Sequence, residues 1–287
     1  MHVELVEGAD DFLERTREHR RGEPLLTNVI SSVAAAVATG QRRYDAHWWW
    51  LAREHGEVVG VAMRTAPYGL VLGPMDTDAA TALGAGVAAR DSEVPWVEGT
   101  PEANEAFRAA YLGPGSPVGP RITRLGRRSL VYEVTALVAH SVPGSARPAV
   151  ASELDLVTEW VRAFHHEVAP AVVDEPAQRR AQFARRVEEG DVVLWEVEGR
   201  PVALAAVAGV DGGATPVARI GPVYTVPGAR GRGYGAAVTA ALAARELGRG
   251  RRVVLYADAD YAPSNAAYRK IGFVTRAETQ TVWLDRP

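Results

Sequence analysis

Residues 221–236, reading GPVYTVPGARGRGYGA, lead an apolar strand into a helix through a loop of glycine and arginine. Gly231, Gly233 and Gly235 carry no Cβ to hold a ligand off the backbone N–H groups, and Arg230 and Arg232 add cationic donors. The helix that follows points its positive end at the same spot. This combination suits a pyrophosphate-bearing cofactor. The spacing Gly231-x-Gly233-x-Gly235-Ala236 also raises a dinucleotide-binding fold, and three features weigh against it. The loop lies in the last third of the chain, Pro227 closes its strand, and Glu246 is too near to serve as the ribose acid expected about 20 residues on. A phosphate-binding P-loop is excluded, since the chain contains no Gly-Lys-Ser or Gly-Lys-Thr.

The downstream elements must position this loop. A helical run over about 233–247 stops at Gly248, and residues 252–256, reading RVVLY, predict a buried parallel strand. A second helix follows, with Pro263 at its first position and Asn265 and Tyr268 three apart on one face. Gly272 followed by Phe273 supplies its C-terminal stop.

These residues resemble the GCN5-related N-acetyltransferase (GNAT) superfamily. Its acetyl-CoA loop, R/Q-x-x-G-x-G/A, is matched by Arg230-Gly-Arg-Gly233-Tyr-Gly235. Its Asn and Tyr three apart, in a helix ending in Gly-Phe, are matched by Asn265, Tyr268, Gly272 and Phe273. Two motifs in register over about 55 residues are more specific than either alone. The resemblance extends more weakly over residues 152–287, and implies a mixed α/β sheet of the acyl-CoA N-acyltransferase fold. It also implies acetyl-CoA as co-substrate, with no metal.

Composition agrees. A chain of 287 residues has room for two domains, and 47% hydrophobic content can fill a core in each. The absence of cysteine removes disulfides, thiolate nucleophiles and cysteine-type zinc sites, which suits a cytoplasmic enzyme. The charged start lacks the apolar stretch of a secretory signal, and no run of 18 apolar residues predicts a membrane span. A net charge of −3, with arginines dispersed among acids, argues against a nucleic-acid partner. Within residues 230–252, six arginines face one acid, Glu246, which suits a few phosphates better than a polyanion. Arg249, Arg251 and Arg252 read as a solvated corner between helix and strand.

The chain also carries an internal repeat. Residues 48–64, WWWLAREHGEVVGVAMR, and 192–207, VVLWEVEGRPVALAAV, both predict a strand, a tight turn and a second strand. Both reach a Gly-Pro, at Gly73-Pro74 and Gly221-Pro222, and Asn104 and Phe107 echo Asn265 and Tyr268. Residues 139–148 have linker composition. The expected organisation is two tandem GNAT-like domains: a degenerate copy at 1–140, a linker at 141–149 and the catalytic copy at 150–287. After Gly73-Pro74 the first copy continues MDTDAA, whose acids would repel phosphate, so one acetyl-CoA site per chain is expected. Alternation places Trp48 and Trp50 on one strand face and Trp49 on the other, as core or interface residues.

By the resemblance, Tyr224, Thr225 and Val226 would hold the pantetheine arm and thioester carbonyl through backbone groups. Arg230, Gly231, Arg232, Gly233, Tyr234, Gly235 and Ala236 would form the phosphate cradle. Asn265 would bond the arm and Tyr268 the sulfur. A phenol is a weaker acid than a thiol, so a hydrogen bond from Tyr268 to the departing thiolate is the expected role. Glu167 is the expected base for the amine, ahead of Glu196, and His165-His166-Glu167 lacks the H-E-x-x-H spacing of a zinc site. The acceptor, a small-molecule or peptide amine, is not legible here, and a second copy of the chain is a candidate partner. Two alternatives stay open: an acyl-CoA-sensing module without turnover, and a mycothiol-synthase-like acetyltransferase.

Overall fold

A computed structural model describes residues 1–168, 176–210 and 216–287. The first half runs β1 (His2–Val6), α1 (Ala9–Arg15), α2 (Arg17–Gly22), α3 (Pro24–Ala38), β2 (His47–Glu54), β3 (Glu57–Thr65), β4 (Leu70–Leu72), α4 (Thr77–Ala88), β5 (Trp96–Gly99), α5 (Pro101–Tyr111) and β6 (Ile122–Val134). The second runs β7 (Ser145–Pro148), α6 (Leu154–Val168), α7 (Pro176–Glu188), β8 (Val192–Val197), β9 (Arg200–Val210), β10 (Val217–Thr225), α8 (Tyr234–Gly248), β11 (Arg252–Asp258), α9 (Ala262–Lys270) and β12 (Val274–Asp285). The residues of linker composition thus contribute a strand, β7, which pairs with β8.

The repeat is built from matching local chemistry. His55 (φ 49°) and Gly56 (φ 92°) turn the β2–β3 hairpin, and Glu198 (φ 50°) and Gly199 (φ 72°) turn β8–β9. Two successive positive φ values match the right-handed twist of the flanking strands. Trp48 and Trp50 stack at 6.4 Å on one face of β2. Trp49 packs on the other face against Phe12, at 5.4 Å. Trp49 and Trp50 are fully buried in separate clusters, so the triplet serves the core.

All strands join one 12-stranded sheet in the order β1-β2-β3-β4-β5-β12-β6-β11-β10-β9-β8-β7. That order reads the same from either end once each strand is exchanged for its repeat counterpart. The centre of the palindrome is the antiparallel pair β6–β12, which runs from Val274↔Glu133 to Asp285↔Ile122 with two register shifts on the way. The last strand of each half crosses over: β12 pairs with β5 of the first half, and β6 pairs with β11 of the second. Helices α4 and α5 cover one face of the first half around Leu83, Val87, Phe107 and Tyr111, all fully buried. Helix α8 covers one face of the second half, and α6 and α7 cover the other. Among the described residues no helix is long and apolar enough to cross a membrane.

Candidate active site: a parted strand pair and an open helix end

Strands β10 and β11 run parallel and pair from Val217↔Arg252 to Ile220↔Leu255. Pro222 has no N–H to extend that ladder, and the register of β10 shifts between Ile220 and Val223. Beyond this point β10 pairs with β9 alone, through Val223, Tyr224 and Thr225, while Tyr256, Ala257 and Asp258 of β11 pair with β6. The two strands therefore part, leaving a notch in the sheet where an extended ligand can lie against unpaired backbone.

At the end of β10 the chain makes a short 3-10 turn over Pro227–Ala229 and enters the glycine loop. Gly231 (φ 77°) and Gly233 (φ 84°) adopt the left-handed conformation. Gly233 is the N-cap of α8 and brings no side-chain acceptor to it. The first-turn N–H groups of α8 therefore have no partner within the helix and face outward with its dipole. A Cβ on Gly235 would stand 3.1 Å from Thr225 Oγ1, so glycine there lets the helix lie close on the strand. Tyr234 and Ala236 are buried, and their side chains belong to the core beneath the loop. Arg232 is exposed at its rim.

Arg230 links the loop to other elements. Its Nε donates to the Thr225 carbonyl at 3.0 Å, and its guanidinium lies 5.5 Å from the Tyr224 ring centre. One of its terminal nitrogens donates to both carboxylate oxygens of Glu167, at 2.8 and 2.9 Å. Glu167, expected as a base, is thus brought to the phosphate loop with both oxygens engaged. Glu196 is also engaged, by Arg147 Nε at 2.6 Å. Val226 uses both backbone groups inside the protein, donating to Val202 and accepting from Ala229. Tyr224 and Thr225 flank the notch.

Helix α9 starts at Ala262, one residue before the expected Pro263. Asn265 is 3% exposed, and its Nδ2 donates to the Asp258 and Ala259 carbonyls at 2.9 and 3.2 Å. Its Oδ1 accepts from Tyr132 at 3.2 Å. These bonds fasten α9 to the end of β11, as Asn104 fastens α5 to β5 by donating to the Val97 carbonyl at 2.9 Å. The resemblance implies an arm contact for Asn265, whereas the bonds seen here are internal. Tyr268 packs between Tyr132 and Phe273, each ring centre 6.1 Å away, and among the described residues its hydroxyl makes no hydrogen bond. Burial, with a smaller contribution from Tyr132, pushes its pKa up to about 12.

The arginine cluster divides differently from its reading in sequence. Glu246 is fully buried and accepts from Arg245, Arg249 and Arg251 at 2.9, 3.0 and 2.5 Å. Arg252 bonds Glu133 at 2.8 Å. The corner is therefore held by two buried carboxylates, and of the six arginines Arg230 and Arg232 are the ones at the loop.

The first half shows why its copy differs. Asp76 caps α4, and its Oδ1 accepts from the Ala79 N–H at 2.8 Å. A protein carboxylate thus fills the helix end that stands open in the second half. Sequence reasoning missed the residues that the first half lends to the site. Tyr132 of β6 reaches Asn265, and His140 Nε2 lies 3.2 Å from the Gly233 carbonyl. Gly272 turns with φ 98° where a Cβ would strike the Ala136 carbonyl at 2.5 Å. No local motif marks these contacts, because the strand exchange creates them.

Residues 154–273 match the model of the acetyltransferase (GNAT) family. An acetyltransferase from the GNAT family from Colwellia psychrerythraea is 14% identical, with both chains covered over 100% of their length and a TM-score of 0.62. A GCN5-related N-acetyltransferase from Sphaerobacter thermophilus is 16% identical, covering 100% of this chain and 96% of that one, with a TM-score of 0.62. A tandem GNAT protein from the clavulanic acid biosynthesis pathway is 14% identical, covering 98% of each chain, with a TM-score of 0.55. No curated protein matches. Residues 154–273 thus match the GNAT acetyltransferase family model, and the whole chain shares its fold with these solved structures, one of them a tandem GNAT protein.

Proposed function

We propose that the chain transfers the acetyl group of acetyl-CoA to a primary amine by direct attack in a ternary complex, with residues 150–287 as the catalytic copy and 1–140 as a copy that binds no CoA. The supporting observation is the adjacency, on one strand, of the β10–β11 notch and the open N-terminus of α8. The loop N–H groups, with Arg230 and Arg232, take the pyrophosphate. The backbone of Tyr224 and Thr225, on the side that β11 leaves open, takes the arm and polarises the thioester carbonyl.

The neutral amine nitrogen bonds to the carbonyl carbon, the C–S bond breaks, CoA departs as a thiolate, and the proton that the nitrogen gives up passes to solvent water. Tyr268 donates a hydrogen bond to that sulfur. With its pKa near 12 it stays neutral, and full transfer of its proton to a thiolate of pKa ~8.5 would be uphill by about 3.5 units, or ~5 kcal/mol. Asn265 acts through position, holding Tyr268 at the end of β11. Glu167 acts as the resting partner of Arg230, released when a phosphate arrives. The test is to follow thiol release from acetyl-CoA across an amine panel, with mass analysis of the acetylated product. Acetyl-CoA binding without amine-dependent release would favour the sensing module.

A further inference from the structure

A cavity of about 670 Å³ lies between the two halves, on the sheet face opposite α8. Its volume suits a small molecule. Its wall carries five arginines: Arg42 and Arg43 after α3, Arg179 and Arg185 on α7, and Arg219 on β10. Glu98 of β5 is the one acid among the lining residues.

Arg219 lines this cavity from β10, the strand that runs on into the notch. It pairs with Val254 one residue before the β10–β11 ladder ends. Its Nη1 donates to Asn28 Oδ1 at 2.7 Å, and Asn28 Nδ2 donates to the Tyr256 hydroxyl at 2.9 Å. Helix α3 of the first half thus braces the splayed strands of the second from the face opposite the phosphate loop. Among the described residues, no carboxylate lies within ion-pairing distance of Arg42, Arg43 or Arg219. Burial, with repulsion from Arg42, lowers the pKa of both Arg219 and the adjoining Arg186. An anion in the cavity would relieve that repulsion.

We propose that this cavity receives the acceptor, and that the acceptor is a small amine also bearing a carboxylate or phosphate group. The inference rests on the transferase reading. The arginines clamp the oxyanion with charge-assisted hydrogen bonds, the Glu98 carboxyl offers the amine end a hydrogen-bond acceptor, and the amine approaches the notch from the face away from the phosphates. The first half is then a working wall of the acceptor site.

The test compares matched amines with and without the anionic group: phosphoethanolamine against ethanolamine, γ-aminobutyrate against butylamine, and glutamate against its diamide. Each is measured by acetyl-CoA turnover and, independently, by calorimetric binding without acetyl-CoA. We expect the anionic members to bind one per chain and to exceed their partners at least ~10-fold in kcat/KM. The double variant Arg42→Gln/Arg185→Gln should erase the preference through KM while leaving acetyl-CoA affinity unchanged, which also reports intact folding. Anionic amines that bind and respond to the double variant without turnover would keep this site and refute transfer. Equal or better use of the neutral amines, a preference untouched in the double variant, or no binding by any anionic amine would overturn the proposal.

Discussion

Replacing Tyr268 by phenylalanine removes one oxygen and leaves the ring packed against Tyr132 and Phe273. The hydroxyl makes no hydrogen bond among the described residues, so its loss leaves no protein group unpaired. What is lost is a bond to a charge that develops as the C–S bond breaks. Hydrogen bonds to charged groups contribute about 1.5–3 kcal/mol, so kcat should fall roughly 10- to 150-fold. Acetyl-CoA affinity should hold within about twofold, because the bond is made mainly in the transition state. With burial keeping the phenol pKa near 12, the wild-type pH profile should show no descending limb from Tyr268 below about pH 11. Single-turnover thiol release, paired with calorimetric acetyl-CoA binding, measures both quantities. An unchanged kcat would assign Tyr268 to packing, and an equal loss of affinity would place its hydroxyl on the arm.

Glu167→Gln separates two roles for that residue. As the resting partner of Arg230 at an exposed pair worth under about 1 kcal/mol, its loss should tighten acetyl-CoA binding up to ~5-fold with kcat retained, whereas a base would show a large fall in kcat. Glu246→Gln should lower unfolding free energy by about 2–4 kcal/mol in urea titration, because three arginines lose a buried carboxylate. A fragment beginning at Pro148 loses β6 from between β11 and β12 and should aggregate, while one beginning at residue 118 should remain soluble, as light scattering would show. Tyr111 and Tyr256 are held by burial to about 12, so both titrate about two units higher folded than unfolded. Their stabilising contribution is full below about pH 10 and falls as pH rises towards 12, a loss visible in thermal melts.

The parts of this site that one segment encodes were legible in the chain. Gly231, Gly233 and Arg230 announce an anion-binding helix start, Asn265 and Tyr268 sit where helical spacing puts them, and alternation divides Trp48 and Trp50 from Trp49. What escaped depends on long-range pairing. Nothing local in residues 122–134 says that they insert beside β11, so the contributions of Tyr132 and His140 were out of reach. Glu246 looked like one acid outnumbered by arginines, and only its burial shows that it gathers three of them. The Asn265 amide likewise reads as a ligand group until its bonds to Asp258, Ala259 and Tyr132 are seen.

On the proposed function, one acetyl-CoA binds per chain, at the β10–β11 notch and the glycine loop. Calorimetric titration of acetyl-CoA into the wild-type protein, Arg230→Glu and Asp76→Ala tests it directly. One site per chain is expected, weakened at least ~10-fold by Arg230→Glu, which loses a charge-assisted donor and adds repulsion, and unchanged by Asp76→Ala. Two equal sites, or a single site indifferent to Arg230→Glu and lost with Asp76→Ala, would contradict it.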